Sequence, residues 1–293
     1  MIETTTPVSL KEAMIGLIKL MRPKQWVKNG FVLAPLLFTG ELLNASAVWQ
    51  TVLAALFFCI ASSATYIVND LHDIELDRCH PKKSKSRPLA SGIVTPRAAI
   101  ILLALLYFVL LMGFYLMPKV LLVIAAYLLL NLAYTFFLKH QPVIDIFTIA
   151  IGFVLRVIAG SMALGVDASA WMCVTTLCLA LYLAAIKRRQ ELANSGVDGR
   201  TVLKSYTVKL VDRYAEMSAT GALLFYSMFV MSTRPALVIT IPLVLYGLFR
   251  YWYVVESLDG GESPTDALFA DWQMLAVVVL WGAACAFVLT RGI

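Results

Sequence analysis

The sequence predicts an all-α, polytopic membrane protein in which nine transmembrane helices form one bundle, with the long loops on a single face. Three observations predict it. Hydrophobic residues make up 60% of the chain and charged residues 14%, with a mean hydropathy of +0.82; about a quarter of the residues of a soluble domain are charged. Apolar stretches of bilayer-spanning length recur along the chain. The 24 lysines and arginines are spread very unevenly over the connections between those stretches.

Taken in order, residues 10–22 intersperse Leu10, Met14, Leu17 and Ile18 with Lys11, Glu12 and Lys19, the pattern of an amphipathic interfacial helix that Pro23 closes. Trp26 then reads as an interfacial anchor. Spans are expected at 28–44, 48–69, 98–116, 120–138, 143–163, 170–187, 214–232, 236–253 and 271–290. The long loops between them are 70–97, 188–213 and 254–270. Of the cations, Lys119, Arg234 and Arg291 fall on the face opposite those loops, and Arg156 lies within a span. The rest share the loops' side, so the positive-inside rule assigns the loops to the cytoplasm. The expectation is a multi-pass protein of the plasma (inner) membrane, a single transmembrane domain over 1–293, with its active site facing the cytoplasm. The first residues, with Glu3 and a run of threonines, lack the cationic start and apolar stretch of a signal peptide. The five cysteines have no metal-ligand spacing and read as small buried thiols; His72, His80 and His140 form no ligand pattern.

The second span runs into Asn69-Asp70-Leu71-His72-Asp73-Ile74-Glu75-Leu76-Asp77. On a helix Asn69, Asp70, Asp73 and Asp77 fall within an arc of about 100°. Carboxylates stacked a turn apart repel unless a cation lies between them. Oxygen donors select a hard cation, and Mg²⁺ held by one or two carboxylates shares its shell with substrate phosphates. These four residues are the candidate metal ligands, and the pattern points to phosphate chemistry at a membrane boundary. Glu75 points the other way and reads as solvated.

Three further constellations stand out. In the fifth span Asp145 and Arg156 lie three turns apart on one stripe with Gly152 between them, and an arginine about 16 Å along an apolar helix must face a cavity or a partner. Lys187, Arg188, Arg189 and Glu191 close the sixth span, with Lys204, Tyr206 and Lys209 beyond. Lys24, Lys28, Lys139 and Arg250 add charge to the same face, which would draw in a multi-anionic substrate. Nucleic acid is excluded as a partner, because the basic residues sit at membrane-proximal ends without a soluble binding domain. The acidic loop from Glu256 to Asp271 has three readings: a balance to the basic site, help for a second cation or a sugar hydroxyl, or helix N-terminal acids at Asp266 and Asp271.

With these residues in view, the chain resembles the UbiA superfamily of intramembrane prenyltransferases over nearly its whole length. The resemblance rests on Asn69-x-x-x-Asp73-x-x-x-Asp77 and its continuation Arg87-Pro88-Leu89-Ala90-Ser91-Gly92. It is closer to the decaprenyl-phosphate phosphoribosyltransferase branch, through Arg22-Pro23-Lys24-Gln25-Trp26-Val27-Lys28-Asn29, Leu138-Lys139-His140 with Asp145, Leu155-Arg156-Val157, and Lys187-Arg188 with Glu191. Aromatic prenyltransferases of the superfamily carry a second aspartate cluster near the end of the sixth span, where this chain has Lys187-Arg188-Arg189.

The resemblance implies transfer of 5-phosphoribose from phosphoribosyl diphosphate to a polyprenyl (decaprenyl) phosphate, releasing diphosphate, in cell-wall arabinan precursor synthesis. Asn69, Asp73 and Asp77, helped by Asp70, would hold Mg²⁺ on the diphosphate. Lys85, Arg87, Lys187 and Arg188 are the expected phosphate clamps. Lys24, Lys28, Lys139 and Arg156 are expected at either the lipid phosphate or the 5-phosphate, with Asp145 and Glu191 also in the substrate site. The competing readings are a polyprenyl transfer to an aromatic acceptor and, in a different class, an anionic-metabolite transporter. Nothing in the sequence opposes a homo-oligomer.

Overall fold

The computed structural model describes residues 9–79, 83–195, 201–257 and 264–290. The expectations that touch His80, Pro81, Lys82, Arg200, Arg291 and the 258–263 part of the acidic loop lie outside these residues.

The described residues form helices and no strand, in the order α1 (Leu10–Leu20), a 3₁₀ helix (Pro23–Leu33), α2 (Ala34–Thr39), α3 (Ala45–His72), α4 (Ile74–Cys79) and α5 (Lys83–Ser86). There follow α6 (Pro96–Leu116), α7 (Pro118–Phe136), α8 (Ile144–Leu164), α9 (Ala170–Ser195), α10 (Val208–Thr233), α11 (Ile241–Ser257), α12 (Pro264–Ala270) and α13 (Trp272–Thr290). Helix starts follow local chemistry. Ser9 and Glu12 form a reciprocal capping box on α1. Asn44 accepts from the Ser46 and Ala47 N–H groups at α3, and Thr95 from Ala98 at α6. Pro96 and Pro118 occupy first-turn positions, where a missing N–H has no partner to lose.

Seven helical segments among the described residues are long and apolar enough to cross a membrane: Ala45–His72, Pro96–Leu116, Pro118–Phe136, Ile144–Leu164, Ala170–Ala193, Pro235–Ser257 and Trp272–Thr290. Their outer faces suit that solvent. On α6, Ile101, Leu105, Phe108, Leu111 and Leu116 are all more than half exposed, an apolar stripe that water would not tolerate. The chain is thus built as a multi-pass membrane protein.

The structure modifies two of the nine expected spans. The stretch 28–44 is not one α-helix: a 3₁₀ helix runs to Leu33, Pro35 sits in the first turn of the short α2, and Gly40 (φ +81) ends it. The stretch 214–232 lies inside α10 (Val208–Thr233), which is not among the seven. The loops are also more ordered than expected. The 70–97 connection contains α4 and α5, and α9 continues to Ser195, so Lys187, Arg188 and Arg189 stand within a helix instead of at its end.

Packing places these elements around one hollow. Phe57, Phe58 and Ala61 of α3 pack with Leu121 and Ile124 of α7 and Ala159 of α8. Across the molecule Tyr182, Ala185 and Ile186 of α9 pack with Val211 of α10 and Tyr251 of α11. Between these clusters α8 faces the 3₁₀ segment so closely that a Cβ on Gly160 would lie 2.0 Å from the Val32 carbonyl oxygen. Trp26 joins this packing: its Nε1–H donates to Ser63 Oγ at 3.0 Å, so it is tied to α3 and is not simply an interfacial anchor.

Candidate active site

At about 42 Å, the 28-residue α3 exceeds the roughly 30 Å hydrocarbon core, so its last turns can reach beyond the core. Those turns carry the acidic ladder. The helix breaks at Asp73 (φ −97, ψ 12), and α4 starts at once. The register survives the break, since the Asp73 N–H bonds the Asn69 carbonyl at 3.0 Å and the Asp77 N–H bonds the Asp73 carbonyl at 2.9 Å. Asn69, Asp73 and Asp77 therefore still line one surface, the wall of a cavity of about 1020 Å³.

Each carboxylate of that wall meets cations. Lys139 Nζ lies 2.9 and 3.2 Å from the two oxygens of Asp73. Arg87 closes on Asp77, and Lys83 approaches it at 3.6 Å. Asp70 is different. It is as buried as Asp77, but it does not line the cavity, and Arg22 and Arg87 hold it at 2.5 and 2.8 Å. Arg87, itself part of the lining, thus ties Asp70 to Asp77, and Asp70 supports the wall instead of opening onto it. His72 stands 4.0 Å from Asp73 with its ring against Phe136.

The facing wall is arranged differently. Lys187 and Arg188 of α9 line the cavity, while the carboxylates that balance Arg188 stand behind it. Asp145, wholly buried, lies 2.9 Å from Arg188 Nε, and Glu191 pairs with its Nη1. Asp145 and Glu191 therefore orient Arg188 and are not part of the cavity lining. Arg189 points elsewhere, to Asp212 at 2.8 Å and Glu256 at 2.6 Å.

Arg156 and Lys28 occupy the inner part of the lining among Phe31, Tyr127 and Phe153. Asp145 and Arg156 do not pair, although they share a stripe. Arg156 donates to Asn29 Oδ1 at 2.8 Å, the Gly152 carbonyl at 2.7 Å and Tyr127 Oη at 3.1 Å, and lies over the Tyr127 and Phe153 rings. Neutral groups thus satisfy a cation that an apolar helix would otherwise bury at a cost of several kcal/mol.

Lys24 and Lys85, both exposed, do not line the cavity. Nor does Arg250, which pairs with Asp271 at 2.6 Å; Asp271 also accepts from the Met274 N–H and caps α13. That geometry favours the helix-terminal reading of Asp271, whose carboxyl the Arg250 guanidinium holds below the usual range. The lining also includes polar residues that the sequence reading did not place in the site, among them Arg22, Lys83, Asn131 and Tyr134. Asn131, a polar residue within an apolar span, was the one with a clear sequence signal.

Among the described residues no three His, Cys, Asp or Glu side chains converge as a ready-made metal site. The ladder fits a hard cation that is shared with a ligand: two carboxylates and an amide supply oxygen donors on one wall, leaving the remaining positions to phosphate oxygens.

The UbiA prenyltransferase family matches residues 31–271. A decaprenyl-phosphate phosphoribosyltransferase from Mycolicibacterium smegmatis is 37% identical over 94% of both chains. Another, from Corynebacterium glutamicum, is 34% identical over 91% of this chain and 84% of its own. Among solved structures, a UbiA homologue from Archaeoglobus fulgidus bound to GPP and Mg²⁺ aligns with a TM-score of 0.72 at 20% identity, covering 94% of this chain and 99% of that one.

Proposed function

The chain belongs to the UbiA prenyltransferase family, and from that premise we propose that it transfers 5-phosphoribose from phosphoribosyl diphosphate to a polyprenyl phosphate. The names of its relatives make decaprenyl phosphate the leading acceptor. One observation carries the reading: the cavity has carboxylates on one wall and Lys187 and Arg188 on the other. A donor with a 1-diphosphate and a 5-phosphate, meeting a lipid phosphate, needs one metal-bridged site and separate cations for the remaining phosphates. Two opposed carboxylate clusters would suit a single diphosphate instead.

In this reading Asp73 and Asp77, with Asn69, would hold Mg²⁺. When bound, the metal neutralises charge on the leaving group. Arg87, Lys83 and Lys139 already lie against those carboxylates and bind the outer phosphate oxygens as the donor enters. Lys187 and Arg188 hold phosphate directly from the facing wall. Lys28 and Arg156 add positive potential among aromatic side chains, where a phosphate carrying an apolar tail can approach. The lipid phosphate is anionic at neutral pH and needs no general base. Its oxygen forms the new bond to C1 as the C1–O bond to diphosphate breaks. The bonding pair leaves with diphosphate, and in-line attack inverts the anomeric centre.

The same reading makes the 3₁₀ segment and α2 one of two further crossings, with α10 the other. Eleven residues of 3₁₀ helix and six of α-helix rise roughly 31 Å, enough for the hydrocarbon core. Nine crossings put the ladder and the α9 cations on the cytoplasmic side of one domain.

The test is direct. Purified protein given phosphoribosyl diphosphate, Mg²⁺ and decaprenyl phosphate is expected to release diphosphate and phosphoribosylated lipid in equal amounts, and chelation of Mg²⁺ is expected to stop both. Prenylation of an aromatic acid from a polyprenyl diphosphate, with no phosphoribosyl transfer, would overturn the assignment.

A further inference from the structure

Two non-glycine residues among those described have positive φ, Arg22 and Val143, and Val143 is the more costly because it is β-branched. It follows Pro142 in the turn between α7 and α8, at φ 68 and ψ −47. A φ near +70° with ψ near −50° lies close to the γ-turn region, which is rare and strained for a residue that carries a side chain. A valine persists there only if its surroundings over-determine the backbone.

The constraint is visible. The Val143 N–H donates to Tyr206 Oη at 2.6 Å, and the same hydroxyl donates to Asp145 Oδ1 at 2.6 Å. Tyr206 is 5% exposed, and its burial pushes the phenol's pKa up, so the hydroxyl keeps its proton for Asp145. One oxygen therefore joins three parts of the cavity wall. The turn it holds begins just after Lys139, which lies on Asp73. Asp145 balances Arg188 on the facing wall. The 3₁₀ helix Thr201–Ser205 immediately before Tyr206 contributes Lys204 to the lining.

We propose that Tyr206 is a positioning residue for the phosphate-binding walls: its hydroxyl holds Val143 in the strained turn and thereby sets Lys139 against Asp73 while fixing Asp145 behind Arg188. This rests on the phosphoribosyl-transfer reading only for its kinetic consequence. The side chain touches no substrate. It converts a flexible lysine on a short turn into one held at a fixed distance from the acidic ladder. Phosphate binding then depends on an aromatic residue outside the cavity.

The experiment uses the full chain in detergent or nanodiscs. Tyr206→Phe keeps the ring and removes the hydroxyl. Amide hydrogen exchange over 138–147 is expected to accelerate at least about tenfold, as the clamp opens. KM for phosphoribosyl diphosphate is expected to rise about tenfold with kcat within about threefold, the split of a binding-geometry defect. Val143→Gly, which accepts the positive φ without strain, is expected to bring KM of the Tyr206→Phe protein back to within about threefold of wild type. Unchanged exchange in Tyr206→Phe would overturn the clamp whatever the enzyme's reaction. A double variant as impaired as Tyr206→Phe would overturn the role of the strained turn. If the wild-type protein transfers no phosphoribosyl group, the exchange measurement still decides the clamp, so the two readings fail separately.

Discussion

The two walls of the cavity share residue types but order them differently: on the α3–α4 side carboxylates and cations both line the cavity, whereas on the α9 side only the cations do. On the α3–α4 wall Asp73 and Asp77 face inward and their cations, Lys83, Arg87 and Lys139, reach them from the connections on either side. On the α9 wall Lys187 and Arg188 face inward, and Asp145 and Glu191 lie behind Arg188. The first arrangement presents negative charge that a hard cation can bridge to phosphate. The second presents positive charge that needs no bridge. The contrast also separates function from stability. The cations on Asp73 and Asp77 are partly exposed, whereas Arg188 is 1% exposed between two carboxylates, so the same charge removal has different consequences on the two walls.

Removing a ladder carboxylate is expected to have the largest effect on activity. Asp73→Asn should lower kcat/KM for phosphoribosyl transfer by about a thousandfold or more, with little change in Tm. Asp77→Asn should cost as much activity while also lowering Tm, because Asp77 is buried against Arg87. Loss of Tm with activity retained would break the comparison. On the facing wall Arg188→Met strands Asp145 and Glu191, and about 3–5 kcal/mol of stability should go with it, read as a lowered Tm in detergent. Adding Asp145→Asn should recover much of that loss. Lys187→Ala is milder, because Lys187 is only partly buried. It should raise KM for phosphoribosyl diphosphate by about tenfold and leave Tm almost unmoved. Lys24→Ala and Lys85→Ala are the reference: both residues are exposed and outside the lining, so steady-state rates should stay within about twofold of wild type.

Much of the ladder was legible in the sequence because it depends on local geometry. Asn69, Asp73 and Asp77 keep their four-residue period even across the break at Asp73, since the i to i+4 hydrogen bonds continue. Asp70 shows the limit of that logic. It belongs to the expected arc but sits at its buried edge, and Arg22, 48 residues away, decides its role. Asp145 and Arg156 share a stripe as expected, yet each found a partner from another element: Arg188 for the first, Asn29 for the second. Tyr206 stands out in the sequence only as a neighbour of Lys204 and Lys209, with no role attached to it. Its importance comes from a strained turn 63 residues away, which no periodicity records. The 3₁₀ segment escaped for a related reason. Apolar content indicates a span, whereas the winding of Pro23–Leu33 follows tertiary contacts such as Trp26 with Ser63 and Val32 with Gly160.

The division of labour between the walls is tested most directly by the Mg²⁺ dependence of phosphoribosyl diphosphate binding to the full-length protein. Titrations are compared for wild type, Lys187→Ala and the Asp73→Asn/Asp77→Asn double variant. Mg²⁺ is expected to tighten binding by at least about tenfold in wild type and in Lys187→Ala, and to have no effect once both carboxylates are gone. Tightening by Mg²⁺ that survives loss of both carboxylates would contradict the account.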